Sequence, residues 1–262
     1  MSIPQSDTSS SDSMSAQQRH FGGDRSRLEL YRDLVYGDTG SLPGFLGFEL
    51  YSLFLTGLGG ALGFAGRGLA LPRFLRSSGG ALNIGRGVTI RQPGRVSLGR
   101  KVILDDYSVI DYRSTGKESV GGITLDDHVL VGRNSLIVAK GGTIHLKRAV
   151  NISSCCRIAT QSSVEIDESV LIAAYVYIGP GNHQIDDLSR PIIEQEMDVR
   201  GGVKIGANSW IGAHSTILDG VRIGRDVIIG AHSLVRDDIP DRAIAVGTPA
   251  RVIRYRGETS NV

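Results

Sequence analysis

The chain has 262 residues, 35 of them glycine, with 6% aromatic residues and a formal net charge of +2. That length can bury a sizeable core, enough for one domain and an appendage. A charge so near neutral gives no basic field to argue for a nucleic-acid partner, and many glycines beside few rings suit a solenoid whose corners need small residues.

In chain order, residues 1–23 are rich in Ser, Gln and Asp and read as a disordered tail. The polar N-terminus shows no apolar core before a cleavage site, so no signal peptide is expected. Residues 24–78 read as a helical, apolar region. Its first part, Asp24 to Val35, has Leu28, Tyr31, Leu34 and Val35 near helical spacing and predicts a short amphipathic helix. Residues 42–71 carry only Glu49 and Arg67 as formal charges, and the 17 residues from Leu50 to Gly66 carry none. Five of those 17 are glycine, which weakens a helix in water. A helix buried in the protein or between subunits, a helix lying in a membrane interface and a true span are the three readings, with burial preferred and peripheral membrane contact secondary. Arg67, Arg73 and Arg76 follow the run and are placed to meet anionic head groups.

From residue 79 to 256 the apolar repeat changes period. Ile205, Ile211, Ile217, Ile223, Ile229 and Val235 recur every six residues, with Gly206, Gly212, Gly224 and Gly230 directly behind four of them. A helix needs a repeat near 3.6 and a two-faced strand needs 2. Six suits a chain that turns a corner after each short strand, one aliphatic residue inward per side. The same spacing holds Ile84 and Ile90, then Leu98, Leu104 and Ile110, and continues through Leu125, Leu146 and Ile166 to Ile178. Small insertions fall near 112–122, 140–144 and 160–164. The largest break, between Ile178 and Ile205, reads as a functional excursion. Two prolines, Pro240 and Pro249, are expected to stop further coils, and 257–262 is a tail. Cys155 and Cys156 are adjacent and the only cysteines; neighbours on a strand face opposite ways, so no mutual disulfide and a reducing compartment are expected.

The units IGANSW, IGAHST, IGRDVI and IGAHSL, with the ending GTPARVIR, resemble the hexapeptide-repeat acyltransferases, and the sugar and polysaccharide O-acetyltransferases among them. The resemblance covers roughly residues 84–256. It implies a mainly β fold, a left-handed parallel β-helix of hexapeptide repeats behind a short N-terminal helical region. The left hand comes from the resemblance alone. It further implies acetyl-CoA as acyl donor, a saccharide hydroxyl as acceptor, a homotrimer and a cytoplasmic enzyme, peripheral at the inner face of the membrane if residues 42–71 meet lipid. An N-acyltransferase of amino sugars, a serine acetyltransferase and a non-catalytic hexapeptide scaffold are the alternatives.

Residue roles follow from the same resemblance. His183, in GNHQID, matches the family's general base, with Asp186 three positions on as the acid that orients it; Gln184 stands where many sugar acetyltransferases have proline. Asn182 and Trp210, the latter in NSWIG where relatives read NxWIG, are assigned to the acceptor. Ala213 and Ala231 leave room for pantetheine. Thr248, Pro249 and Ala250 are assigned near adenine, and Arg251 and Arg254 near the phosphates. Where relatives read TKDIP this chain has Arg236-Asp237-Asp238-Ile239-Pro240, so the lysine's phosphate contact moves to Arg236. Cys155 falls where some relatives place an acceptor-binding asparagine. His214 and His232, 18 residues apart, should stack on neighbouring coils; carbonic anhydrases of the same helix use three histidines with two close in sequence, a pair absent here, and no metal is expected.

Overall fold

The structure, a computed structural model, describes residues 26–37, 40–114, 121–179 and 182–258. The tail expected at 1–23 lies outside the described residues. Helix α1 (Arg27–Val35) starts at Ser26, whose hydroxyl accepts from the Glu29 N–H while the Glu29 carboxylate accepts from the Ser26 N–H. That reciprocal cap explains why the helix begins here.

The apolar stretch is two helices rather than one. Ser41 caps α2 (Leu42–Phe54), and α3 (Gly60–Ala70) runs on after a turn at 55–59, its first residue Gly60 taking φ 69°. No helix among the described residues is long and apolar enough to cross a membrane. Arg67 is not placed for head groups. It is 3% exposed, and its guanidinium donates to the carbonyls of Leu55 (3.0 Å), Leu58 (2.6 Å) and Ile84 (3.0 Å). Gly63 makes that clasp possible, since a Cβ there would sit 2.0 Å from the Leu58 carbonyl oxygen. The inner side of α2 (Phe45, Phe48, Tyr51) is buried against Tyr36 and Phe74.

Three parallel sheets follow, one per side of a triangular coil. Their inward residues are those the six-residue spacing picks out, and they align coil on coil. On the first face the register runs Leu98, Leu125, Leu146, Ile166, Ile205, Ile223. On the second it runs Ile84, Leu104, Val131, Ile152, Ile172, Ile211, Ile229. The third holds Ile90, Ile110, Ile137, Ile158, Ile178, Ile217 and Val235. These side chains are at most 6% exposed and form one continuous core. The insertions lie at the corner from the third face to the first. There the strands Val109–Arg113, Leu136–Lys140 and Arg157–Thr160 run past the hexad before the chain re-enters the first face.

Glycine's task at the corners is closeness rather than a left-handed backbone. A Cβ on Gly212 would lie 2.5 Å from the Ala231 nitrogen of the next coil. Most left-handed positions go to other residues, although Gly87 takes one on the first coil with φ 68°. At the corner between second and third faces these are Tyr107, Asn134, Cys155, Tyr175, His214 and His232, with φ from 57° to 62°. Each donates its N–H to the preceding coil, for example His214 to Ala174 O (3.1 Å) and His232 to Ala213 O (2.9 Å), which offsets the cost of that conformation.

Pro240 does not end the solenoid. Ile239 still bridges to Ile223, and Ala243–Gly247 adds another parallel strand to the second face. The chain turns back only at the cis Thr248–Pro249 bond, and Ala250–Tyr255 returns antiparallel. A proline at a corner needs no ladder N–H, which is why the first one is tolerated.

Candidate active site

The excursion leaves the end of the third face and returns to the first as a hydrogen-bonded ribbon. Asn182–His183 pairs antiparallel with Met197–Asp198, and the Gln184 N–H donates to Glu196 O (2.8 Å). Gln195, 5% exposed, holds the ribbon from inside, its amide donating to Asp187 O (2.8 Å) and Arg190 O (3.1 Å). Asp187 accepts from the Ser189 N–H (2.9 Å) and Arg190 Nε (2.8 Å). The Ser189 hydroxyl first, then the Arg190 guanidinium, hold its carboxyl at about 2. The returning strand is pinned where Asp219 accepts from the N–H groups of Arg200 (2.6 Å) and Gly202 (2.8 Å).

His183 stands exposed on this ribbon, and its Nδ1 lies 3.4 Å from the Gln195 carbonyl oxygen. A carbonyl only accepts, so that contact assigns a proton to Nδ1, and in the neutral ring Nε2 is then the accepting nitrogen. Asp186 is exposed and, among the described residues, makes no hydrogen bond or ion pair with His183. Within this chain the imidazole therefore meets a main-chain carbonyl rather than the Asp186 carboxylate, which lies exposed in the irregular stretch 184–187. The Asn182 side chain lies outside the described residues.

Ala213 and Ala231 stack on the corner between the second and third faces, half-buried and exposed. Their N–H groups donate to no protein group among the described residues. Beside them the rings of His214 and His232 stack at 4.7 Å and 4°. Tyr175 continues the stack on His214 at 4.7 Å and 7°. Tyr175 escapes the 18-residue spacing because the excursion intervenes, yet it stands three places after Ile172 as His214 stands three after Ile211. Thr248 prolongs the same corner, its hydroxyl donating to His232 O (3.2 Å), followed by Pro249 and buried Ala250.

The arginines are arranged differently from expectation. Arg236 (3.5 Å) and Arg251 (3.1 Å) both reach the carboxylate of exposed Asp237, and Arg254 lies exposed on the returning strand opposite Ile244. Asp237 thus draws in two cations, Arg236 and Arg251, that the family resemblance implied for phosphates. Trp210 is 49% exposed on the outside of the second face between Leu171 and Ile228, whereas the ribbon springs from the corner between third and first. It does not stand beside the ribbon of its own chain. Cys155 and Cys156 are free, and burial raises the Cys156 thiol's pKa.

A triangular parallel β-helix with an outward histidine ribbon and a corner of stacked small residues defines a class: the left-handed hexapeptide-repeat transferases. The comparisons agree. The family described as bacterial transferase hexapeptide (six repeats) matches residues 202–237. An Escherichia coli K12 protein named as the lipopolysaccharide biosynthesis O-acetyl transferase WbbJ is 34% identical over 53% of this chain and 75% of its own length. A Mycobacterium tuberculosis protein named as an acetyltransferase is 32% identical over 68% of this chain, and the match spans 51% of that relative, about half its length. The solved polysialic acid O-acetyltransferase OatWY shares the fold with TM-score 0.53 and 17% identity over 69% of this chain and 87% of its own. The chain belongs to the hexapeptide-repeat acyltransferase family.

Proposed function

We propose that this chain is a cytoplasmic O-acetyltransferase that moves an acetyl group from acetyl-CoA to a saccharide hydroxyl, as in lipid-linked or exported polysaccharide synthesis. The observation that carries the reading is the exposed His183 imidazole, whose Nδ1 meets the Gln195 carbonyl and leaves Nε2 as the accepting nitrogen. Family membership and the name of the Escherichia coli relative support the donor and the acceptor class. In the proposed step Nε2 takes the proton of the acceptor hydroxyl as its oxygen attacks the thioester carbonyl. The carbon–oxygen bond forms, the carbon–sulfur bond breaks, and the proton passes from His183 to the departing CoA thiolate. The free N–H of Ala213 is suited to the transient oxyanion. Acetyl-CoA would lie along the Ala213, Ala231 and Thr248 corner with Arg254 near its phosphates, in a groove completed by a neighbouring subunit of a homotrimer.

The test is release of CoA thiol from acetyl-CoA over a panel of saccharides, amino sugars and serine. A saccharide with free hydroxyls is expected to be the substrate, and His183→Ala to lower turnover by about 10² to 10⁴ with CoA binding retained. Turnover on the amino group alone would move the reading to N-acyl transfer. Unchanged turnover in His183→Ala would remove the proposed base.

A further inference from the structure

The helical hairpin closes the N-terminal end of the solenoid. Helix α3 packs on the open edge of the second face, with a Cβ on Gly68 meeting Leu82 O at 2.8 Å and Arg67 reaching Ile84 O. Helix α1 covers the edge of the third, where Gln92 binds the carbonyls of Val35 and Asp33. Solenoid caps ordinarily turn a polar side to solvent. This one does not. Leu42, Leu46, Leu50 and Leu53 form one stripe along α2, and Leu53, Leu62 and Leu69 are 75%, 82% and 73% exposed. Every exposed residue from Leu42 to Ala65 is apolar or glycine.

The polar groups of this stretch are withdrawn. Glu49, its one acid, accepts from the Tyr31 hydroxyl (3.0 Å). The Thr56 hydroxyl donates to Ser52 O. Buried Arg67 satisfies the Leu55 and Leu58 carbonyls of the exposed turn, which water would otherwise solvate. A turn whose Leu55, Thr56 and Leu58 carbonyls are all bonded within the protein is suited to a medium poor in water. Arg73 and Arg76 lie exposed at the foot of the hairpin, and Arg86 lies exposed beside its turn.

From this we infer that the outer face of α2 and α3 docks in the interface of an anionic lipid bilayer. Helices of 13 and 11 residues are too short to cross one and lie in its plane instead. A second copy is the weaker occupant. In the homotrimer proposed above, on which this part rests, rotation about an axis parallel to the solenoids turns all three caps the same way, so no subunit covers another's cap. Three co-facing apolar caps, each with Arg73 and Arg76 exposed at its foot, match a flat acidic surface.

The test is sedimentation of the full chain with vesicles of phosphatidylcholine, with and without phosphatidylglycerol. Binding is expected with phosphatidylglycerol. The double variant Leu53→Ser, Leu62→Ser should lose about tenfold or more in partitioning, and Arg73→Gln with Arg76→Gln about fivefold per arginine on the acidic vesicles alone. Both variants should keep acetyl transfer to a soluble acceptor, which shows that they fold. As a second readout, Leu53→Trp fluorescence should shift to the blue on acidic vesicles. No sedimentation of the parent chain, equal sedimentation of the double-serine variant, or paired trimers in solution that dissolve in that variant would each overturn the inference. A monomer in light scattering would remove the trimer reading while vesicle binding is read independently.

Discussion

An imidazole whose Nδ1 meets a main-chain carbonyl is held by the backbone and not by a titrating partner. Asp186→Asn is therefore expected to leave turnover within about twofold, as for a surface change. Gln195→Ala is expected to do more, because it strips the amide from two ribbon carbonyls, a loss of about 1–3 kcal/mol in local order. Steady-state rates with the CoA thiol readout separate the two; a large loss in Asp186→Asn would restore the acid as orienting partner. The pH behaviour of the ribbon has a definite sign. Asp187 is held at about 2 against its ordinary 3.8, so its stabilisation is complete above that ordinary value and fades as pH falls from about 4 toward 2. The Ser189 amide resonance should follow that lower transition, and a midpoint near 4 would show the contact absent. The excursion that carries His183 was legible from the break in the six-residue repeat. Gln195 was not, because a buried side chain serving carbonyls eight and five residues back leaves no periodic trace.

A hexad is a unit of packing, and its parts should respond unequally to substitution. Ile172→Ala, at a fully buried position stacked between Ile152 and Ile211, should cost about 2–5 kcal/mol in chemical denaturation. Leu171→Ala, next to it but 45% exposed, should cost well under half of that, and equal losses would contradict the inward register. At the C-terminal hairpin, Asp237 pairs with Arg236 and Arg251, and in the proposed groove it would compete for them with the phosphates of acetyl-CoA. Asp237→Ala should lower the apparent constant for acetyl-CoA at low salt and leave that for a short pantetheine thioester unchanged. A weaker acetyl-CoA interaction would place Asp237 in the groove as a contact. Inward residues were readable because each coil repeats one decision, and repetition outweighs local propensity. The break in the apolar run was not, since it depends on Arg67 returning to carbonyls nine and twelve residues earlier. The strand beyond Pro240 was missed for a similar reason: a proline at a corner looks the same in sequence as one that ends a solenoid.

At the scale of the whole molecule, the candidate chemistry is divided between two corners. The histidine ribbon leaves between the third and first faces, the small-residue corner proposed for acetyl-CoA lies between the second and third, and a full face separates them within one chain. A second copy brings them together if subunits associate side by side, and a closed ring of three gives every ribbon a groove to meet. The ribbon also presents Leu188, 97% exposed, and Ile185, 63% exposed, outward where such a neighbour would pack. Light scattering should therefore report a trimer. Complementation tests the shared site more directly. His183→Ala lacks the base but keeps its groove; Ala213→Trp fills the groove but keeps its base. Each alone should be nearly inactive. Refolded together in equal amounts, they should regain about a quarter of parental activity, because a site is whole when an intact ribbon meets an intact groove, one interface in about four under random closure. Trimers that mix fully, shown by a mass tag on one variant, and yet stay inactive would confine ribbon and groove to one chain and end the shared-site reading.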